Sequence, residues 1–244
     1  MNEVSGKSFR KSLPGVFRFS VTGFLMALVI LMFAAPFIGH FQYGQMIESS
    51  LMTLVLVSAV MAVGHQRRMF FLAMVLVAPA VTGRWLHHFL PNLTTAVFFL
   101  TSVMVFIAFV IWQLFRFILR APRVDAEVLC AGISTYLLLG LLWGFAYMLV
   151  ANTIPKAFIF DGQIEAATDM TTFTGVYFSF ITLTTVGFGD IVPNCQVARM
   201  LAAMEAMTGT LFVAILISRL VSLYSRNPAP DSAASGNAKS RGDI

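Results

Sequence analysis

Residues 184–190 read Thr-Thr-Val-Gly-Phe-Gly-Asp, and the chemistry they offer lies in the backbone rather than in side chains. Gly187 and Gly189 reach backbone angles that a Cβ forbids, so the run can lie extended with its carbonyl oxygens aimed at one axis. Rings of such oxygens replace the water shell of a small cation. Other candidates are sparse. His65 and the group Arg84, His87 and His88 sit at expected loop positions on opposite sides of a bilayer, and adjacent His87 and His88 lack the spacing and further ligands of a metal site. Cys130 and Cys195 are the only cysteines, and on the topology below they fall on opposite sides of the membrane, which excludes a disulfide between them. No nucleophile, metal cluster or cofactor motif emerges, so an enzyme is not expected.

Whatever positions residues 184–190 must be built in lipid. Charged residues make up 11% of the 244 and hydrophobic ones 58%, with a mean hydropathy of +0.84, so a water-soluble core is the wrong picture for most of this chain. A net charge of +5 and a pI near 9.6 raise the question of nucleic acid. The basic residues lie between apolar runs rather than in one patch, so no nucleic-acid partner is expected. Lys7, Arg10, Lys11 and Arg18 ahead of an apolar stretch resemble a signal peptide, but that stretch is long enough to span and several more follow.

Apolar runs at 19–38, 47–63, 69–81, 93–119, 129–151 and 197–223 predict six membrane helices, with a shorter apolar stretch at 172–183 just before the glycine-rich run. The third run is short for a span and contains Pro79. With a cytoplasmic N-terminus, the inside segments hold thirteen Lys and Arg: Lys7, Arg10, Lys11, Arg18, Arg67, Arg68, Arg116, Arg120, Arg123, Arg219, Arg226, Lys239 and Arg241. The outside holds three, Arg84, Lys156 and Arg199. That asymmetry is what the positive-inside rule asks for, and dropping the third span would invert every later loop. The external loop 152–170 carries Asp161, Glu165 and Asp169, which either raise the local cation concentration or are a solvated surface.

A short helix that re-enters from outside and ends at 184–190 requires that segment to face water or protein, because irregular backbone at membrane depth survives nowhere else. Asp169, Thr171 and Thr172 offer acceptors for the start of that helix. Its C-terminal dipole favours a cation. In this arrangement residues 129–224 resemble the potassium-channel pore family: outer helix, pore helix, Thr-Val-Gly-Tyr/Phe-Gly filter, inner helix.

The resemblance implies that the carbonyls of Thr185, Val186, Gly187 and Phe188, with the Thr185 hydroxyl, form stacked K+ sites, with Gly189 at the outer mouth. Asp190 and Phe188 would brace the filter from behind, supported by Thr184. Some family members pair the filter Asp with a pore-helix Glu, but Ile181 stands at the matching position here; Tyr177, a turn earlier, is the alternative donor to Asp190. With one filter strand per chain, four chains must assemble, which predicts a cyclic homotetramer.

On the inner helix, Gly209 falls where the family places a hinge, although glycine equally permits close packing. Helical spacing puts Thr210, Val213, Ile217 and Val221 on the cavity side. Glu205 lies roughly 15 Å into that helix and is costly unless partnered. It is read as accepting from Thr182 or Thr184, as protonated, or as touching an aqueous cavity, with bracing and sensing both open. Gly140 and Gly144 form a small-xxx-small pair for close packing. The fourth span has no basic residue before Arg116, so Arg116, Arg120 and Arg123 read as anchors rather than a voltage-sensing ladder.

The expected fold is thus an all-α integral membrane protein with six transmembrane helices and a re-entrant pore helix and extended filter between the last two. Its parts are a basic N-terminus and four-helix membrane domain (1–127), a pore domain (128–224) and a disordered cytoplasmic tail (225–244), too short for a ligand-binding domain. The expected function is passive, K+-selective conduction across the plasma membrane, with lipid, K+ as permeant ion, no cofactor, and both termini cytoplasmic. The alternatives are a weakly selective cation channel and a non-conducting modulatory subunit.

Overall fold

Lipid offers no water to a bare peptide group, so a long apolar run is stable there as a helix that satisfies its own backbone. The structure, a computed structural model, describes residues 15–38, 44–63, 67–90, 92–122, 125–160 and 170–225. Seven helices stand among them: α1 Gly15–Ile38, α2 Gly44–Val63, α3 Arg67–Phe89, α4 Leu93–Arg120, α5 Ala126–Thr153, α6 Thr172–Leu183 and α7 Gln196–Ser225. Four are long and apolar enough to cross a membrane, namely α3, α4, α5 and α7, while α1 and α2 hold shorter apolar stretches at Val21–Ala34 and Ser49–Ala62.

Helix α4 shows how the pattern sets the packing. Its buried residues Phe99, Val103, Phe106, Val110, Leu114 and Ile118 recur every three or four positions and form one stripe. That stripe lies between α3 and α5, while Phe98, Val105 and Trp112 face outward. Helix α1 packs on α2 and α5, so one apolar core runs from Phe24 and Leu28 through Ala59, Val77 and Val103 to Leu138 and Phe145. A second cluster, around Tyr147, Phe158, Phe178, Ile181 and Ile191, gathers the end of α5 and both flanks of α6.

The chain is mostly helical, as expected; one feature was not anticipated and one expectation is corrected. The chain is not purely helical: β1 Phe158–Phe160 pairs antiparallel with β2 Ile191–Pro193, in register Phe158↔Pro193, Ile159↔Val192 and Phe160↔Ile191. Three-residue strands carry too little alternation to stand out from apolar neighbours. The third helix is also longer than its apolar run, because it continues through Pro79 and keeps Arg84, His87 and His88 on its last turns rather than in a loop. Half-buried Arg84 is held by its Nε donating to Ser49 Oγ at 3.0 Å and by the Phe99 ring 5.5 Å away. His87 Nδ1 lies 3.1 Å from Thr95 Oγ1 at the α3–α4 turn. Among the described residues no group of three His, Cys, Asp or Glu is placed to hold a metal, and both cysteines are free. The N-terminal basic residues before Gly15, His65, Arg123, the acids Asp161, Glu165 and Asp169, and the tail from Arg226 lie outside the described residues.

Candidate functional site

Helix α6 begins where Thr171 caps it, its Oγ1 accepting from the Thr174 amide at 3.2 Å. The helix sits deep against α5 because glycines remove the side chains that would intervene. A Cβ on Gly140 would lie 2.5 Å from the Phe180 ring, and one on Gly144 would lie 3.1 Å from Val176 Cα. The small-xxx-small pair of α5 therefore packs on α6 of the same chain.

The end of α6 dictates what residues 184–190 can do. A helix leaves its last carbonyls unpaired, and here the following amides fold back to take them. Thr184 N bonds Phe180 O at 3.1 Å, Thr185 N bonds Thr182 O at 2.9 Å, and the amides of Val186 and Gly187 both reach Ile181 O, at 2.9 and 3.0 Å. The Thr184 hydroxyl adds a bond to Phe180 O at 2.6 Å. Positive φ at Thr185 (59°), Gly187 (53°) and Gly189 (83°) turns the backbone as this wrapping requires. With these amides turned inward, the carbonyl oxygens of residues 184–189 accept no hydrogen bond from any described residue. Residues 184–189 are all exposed, Phe188 at 72%, so its ring is not packed behind this segment by its own chain, contrary to the expected bracing role.

The outgoing end is anchored twice. Tyr177 Oη donates to Asp190 Oδ2 at 2.7 Å, joining the second turn of α6 to the last residue of the run. The β1–β2 ribbon then ties residues 191–193 to the segment after α5, and Asn194 N extends it by bonding Ala157 O at 2.8 Å. Nothing in the sequence reading pointed to this ribbon.

Helix α7 runs without a break through Gly209, whose missing side chain makes room for α6. A Cβ there would meet Leu183 O at 2.3 Å, a physical reason for close packing. Thr210, Val213, Ile217 and Val221 are all exposed on the single chain. Near the end of α7, Arg219 donates to the carbonyls of Leu119 (2.9 Å) and Ala121 (3.2 Å), capping α4.

Glu205 corrects the reading of its partners. It is fully buried, and the hydroxyls of Thr182 and Thr184 donate instead to the carbonyls of Phe178 and Phe180. Its carboxyl oxygens meet Tyr147 of α5 and Ser179 of α6. Tyr147 sits in a cluster of edge-to-face rings with Phe178 (4.7 Å) and Phe158 (5.8 Å). A lone serine on the apolar α6 was the signal that could have flagged this partner.

A short helix seated between two long apolar helices thus ends in an exposed, carbonyl-bearing loop. The family model described as "Ion channel" matches residues 134–226, which run from within α5 through α7. "Two-pore potassium channel 1" of Arabidopsis thaliana is 46% identical over 44 residues, 18% of this chain and 12% of that protein. "Two pore potassium channel a" of Oryza sativa subsp. japonica is 31% identical over 86 residues, 35% of this chain and 24% of that protein. "Voltage-gated potassium channel regulatory subunit KCNG1" of Homo sapiens is 27% identical over 89 residues, 36% of this chain and 17% of that protein. The chain therefore spans at most about a quarter of these relatives' length. No solved structure matches. The matches support the potassium-channel pore-loop family for this segment of a multi-pass membrane chain, and that family is a class of ion channel rather than of enzyme.

Proposed function

We propose that this chain is one subunit of a potassium-selective channel that conducts K+ passively across the plasma membrane. The observation that carries the reading is the set of unpartnered carbonyls on residues 184–189, freed by amides that fold back onto the end of α6. Around a symmetry axis those oxygens become rings that stand in for the hydration shell of K+. Thr185, Val186, Gly187 and Phe188 then form the sites, Gly189 the mouth, and Thr184, Tyr177 and Asp190 the support.

One chain supplies one strand of such a ring, so the assembly is a homotetramer. The apolar face of α7, with Met200, Met204, Met207 and Leu211 between 45% and 61% exposed, supports burial against neighbouring copies. In this reading six helices span the membrane, α6 re-enters from outside, both termini are cytoplasmic, and Thr210, Val213, Ile217 and Val221 line the cavity. Gly209 serves as the bending point as well as the packing contact. With no basic residue on α4 before Arg116, intrinsic voltage dependence is weak.

The human relative is named as a regulatory subunit, which favours a second reading in which the chain modulates other channels without conducting. Ion flux from liposomes holding only this purified chain separates the two. K+ release well ahead of Na+ release supports the channel, equal release supports a weakly selective pore, and no release from correctly inserted tetramers refutes conduction.

A further inference from the structure

Glu205 is an acid on a membrane helix with no cationic partner among the described residues, and hydrogen counting decides which form it takes. Three oxygen–oxygen contacts run in series: Tyr147 Oη to Glu205 Oε2, Glu205 Oε1 to Ser179 Oγ, and Ser179 Oγ to the Gly140 carbonyl at 2.7 Å. A carbonyl only accepts, so the last contact takes the single hydroxyl hydrogen of Ser179. Tyr147 supplies the hydrogen of the first. The middle contact then has a hydrogen only if Glu205 carries one; a carboxylate leaves two hydrogens for three contacts. Tyr136, also on α5, is the other ionisable group near enough to interact with it electrostatically.

We infer that Glu205 is held as a neutral carboxylic acid that accepts from Tyr147 and donates to Ser179, forming a directed chain from Tyr147 through to the Gly140 carbonyl. This chain pins α7 and α6 to α5 at Ser179, two residues before the Ile181 carbonyl on which the Val186 and Gly187 amides hang. Glu205 is thus a positioning residue for the 184–190 segment and adds no negative charge behind it. Burial of an unpaired charge in this apolar setting is costly, whereas a neutral acid with both oxygens bonded is not.

The role in conduction rests on the channel reading, but the protonation does not, so the test reads it without current. In the infrared difference spectrum of wild type minus Glu205→Gln at neutral pH, the full chain shows the carbonyl stretch of a protonated acid. Carboxylate bands there instead overturn the inference. Gln can accept from Tyr147 and donate to Ser179, so Glu205→Gln keeps wild-type thermal stability and K+ flux within about twofold. Glu205→Leu and Tyr147→Phe, which strand a buried polar group, shift the folded population roughly tenfold to a hundredfold. A Glu205→Gln protein that fails alongside Glu205→Leu contradicts the inference. Absence of K+ flux in the wild type sinks the channel reading and leaves the infrared result to decide the acid.

Discussion

Substituting Gly209→Ala tests how tightly α7 is pressed against the end of α6. The added Cβ would lie 2.3 Å from Leu183 O and 2.9 Å from Leu183 Cδ1. A relaxed carbon–oxygen contact begins at about 3.3 Å, so one element must retreat by roughly 1 Å. The oxygen belongs to the backbone residue that ends α6, and it cannot swing aside as a side chain would. Overpacking of this kind costs about 1–3 kcal/mol, and a backbone obstruction belongs at the upper end. Alanine returns about 1 kcal/mol in helix propensity, which leaves a net loss of about 2 kcal/mol. For a chain of this size that is a fall in Tm of about 4–8 °C. Tryptophan fluorescence of the purified protein during heating measures it, with Gly23→Ala, where nothing lies within 4 Å, as the control. A Gly209→Ala protein that melts with the wild type but opens less often would refute close packing as the reason for this glycine and leave only the hinge.

Other perturbations probe other joints. Tyr177→Phe removes the one bond that Asp190 Oδ2 accepts among the described residues, where Oδ1 is already buried without a partner, a loss of about 1–3 kcal/mol; single-channel records should show a less stable conducting filter, and unchanged records would count against the brace. Arg219→Gln uncouples the end of α4 from α7 by removing two bonds to carbonyls, so open probability should shift severalfold in bilayer recordings with ion selectivity unchanged; no shift would make the contact a passive cap. The conductance–voltage relation should be shallow, because no arginine of α4 before Arg116 is there to move through the field; a steep relation would refute the reading of α4.

The helices were legible because lipid demands long apolar runs, and α6 occupies the 172–183 stretch read from the sequence. The end of α3 was not, since Arg84, His87 and His88 look like loop residues until Ser49, Phe99 and Thr95 are placed beside Arg84 and His87. The Tyr177–Asp190 bond was expected from the family resemblance, which seats a donor near Ile181 and so brings in Tyr177 one turn earlier, 13 residues before Asp190. The partners of Glu205 were hidden for the opposite reason. Tyr147 is 58 residues away and Ser179 is 26, and only packing of three helices brings them together. The β1–β2 ribbon likewise depends on two short segments that a membrane helix count has no cause to notice.

The central claim is that the exposed carbonyls of Thr185, Val186, Gly187 and Phe188 select K+. The reversal potential of the purified chain in planar bilayers, under opposed K+ and Na+ gradients, tests it most directly. The reversal potential should follow the K+ gradient, by about 59 mV for each tenfold ratio, and ignore Na+. A reversal potential that stays near zero as the K+ gradient is steepened would contradict the account.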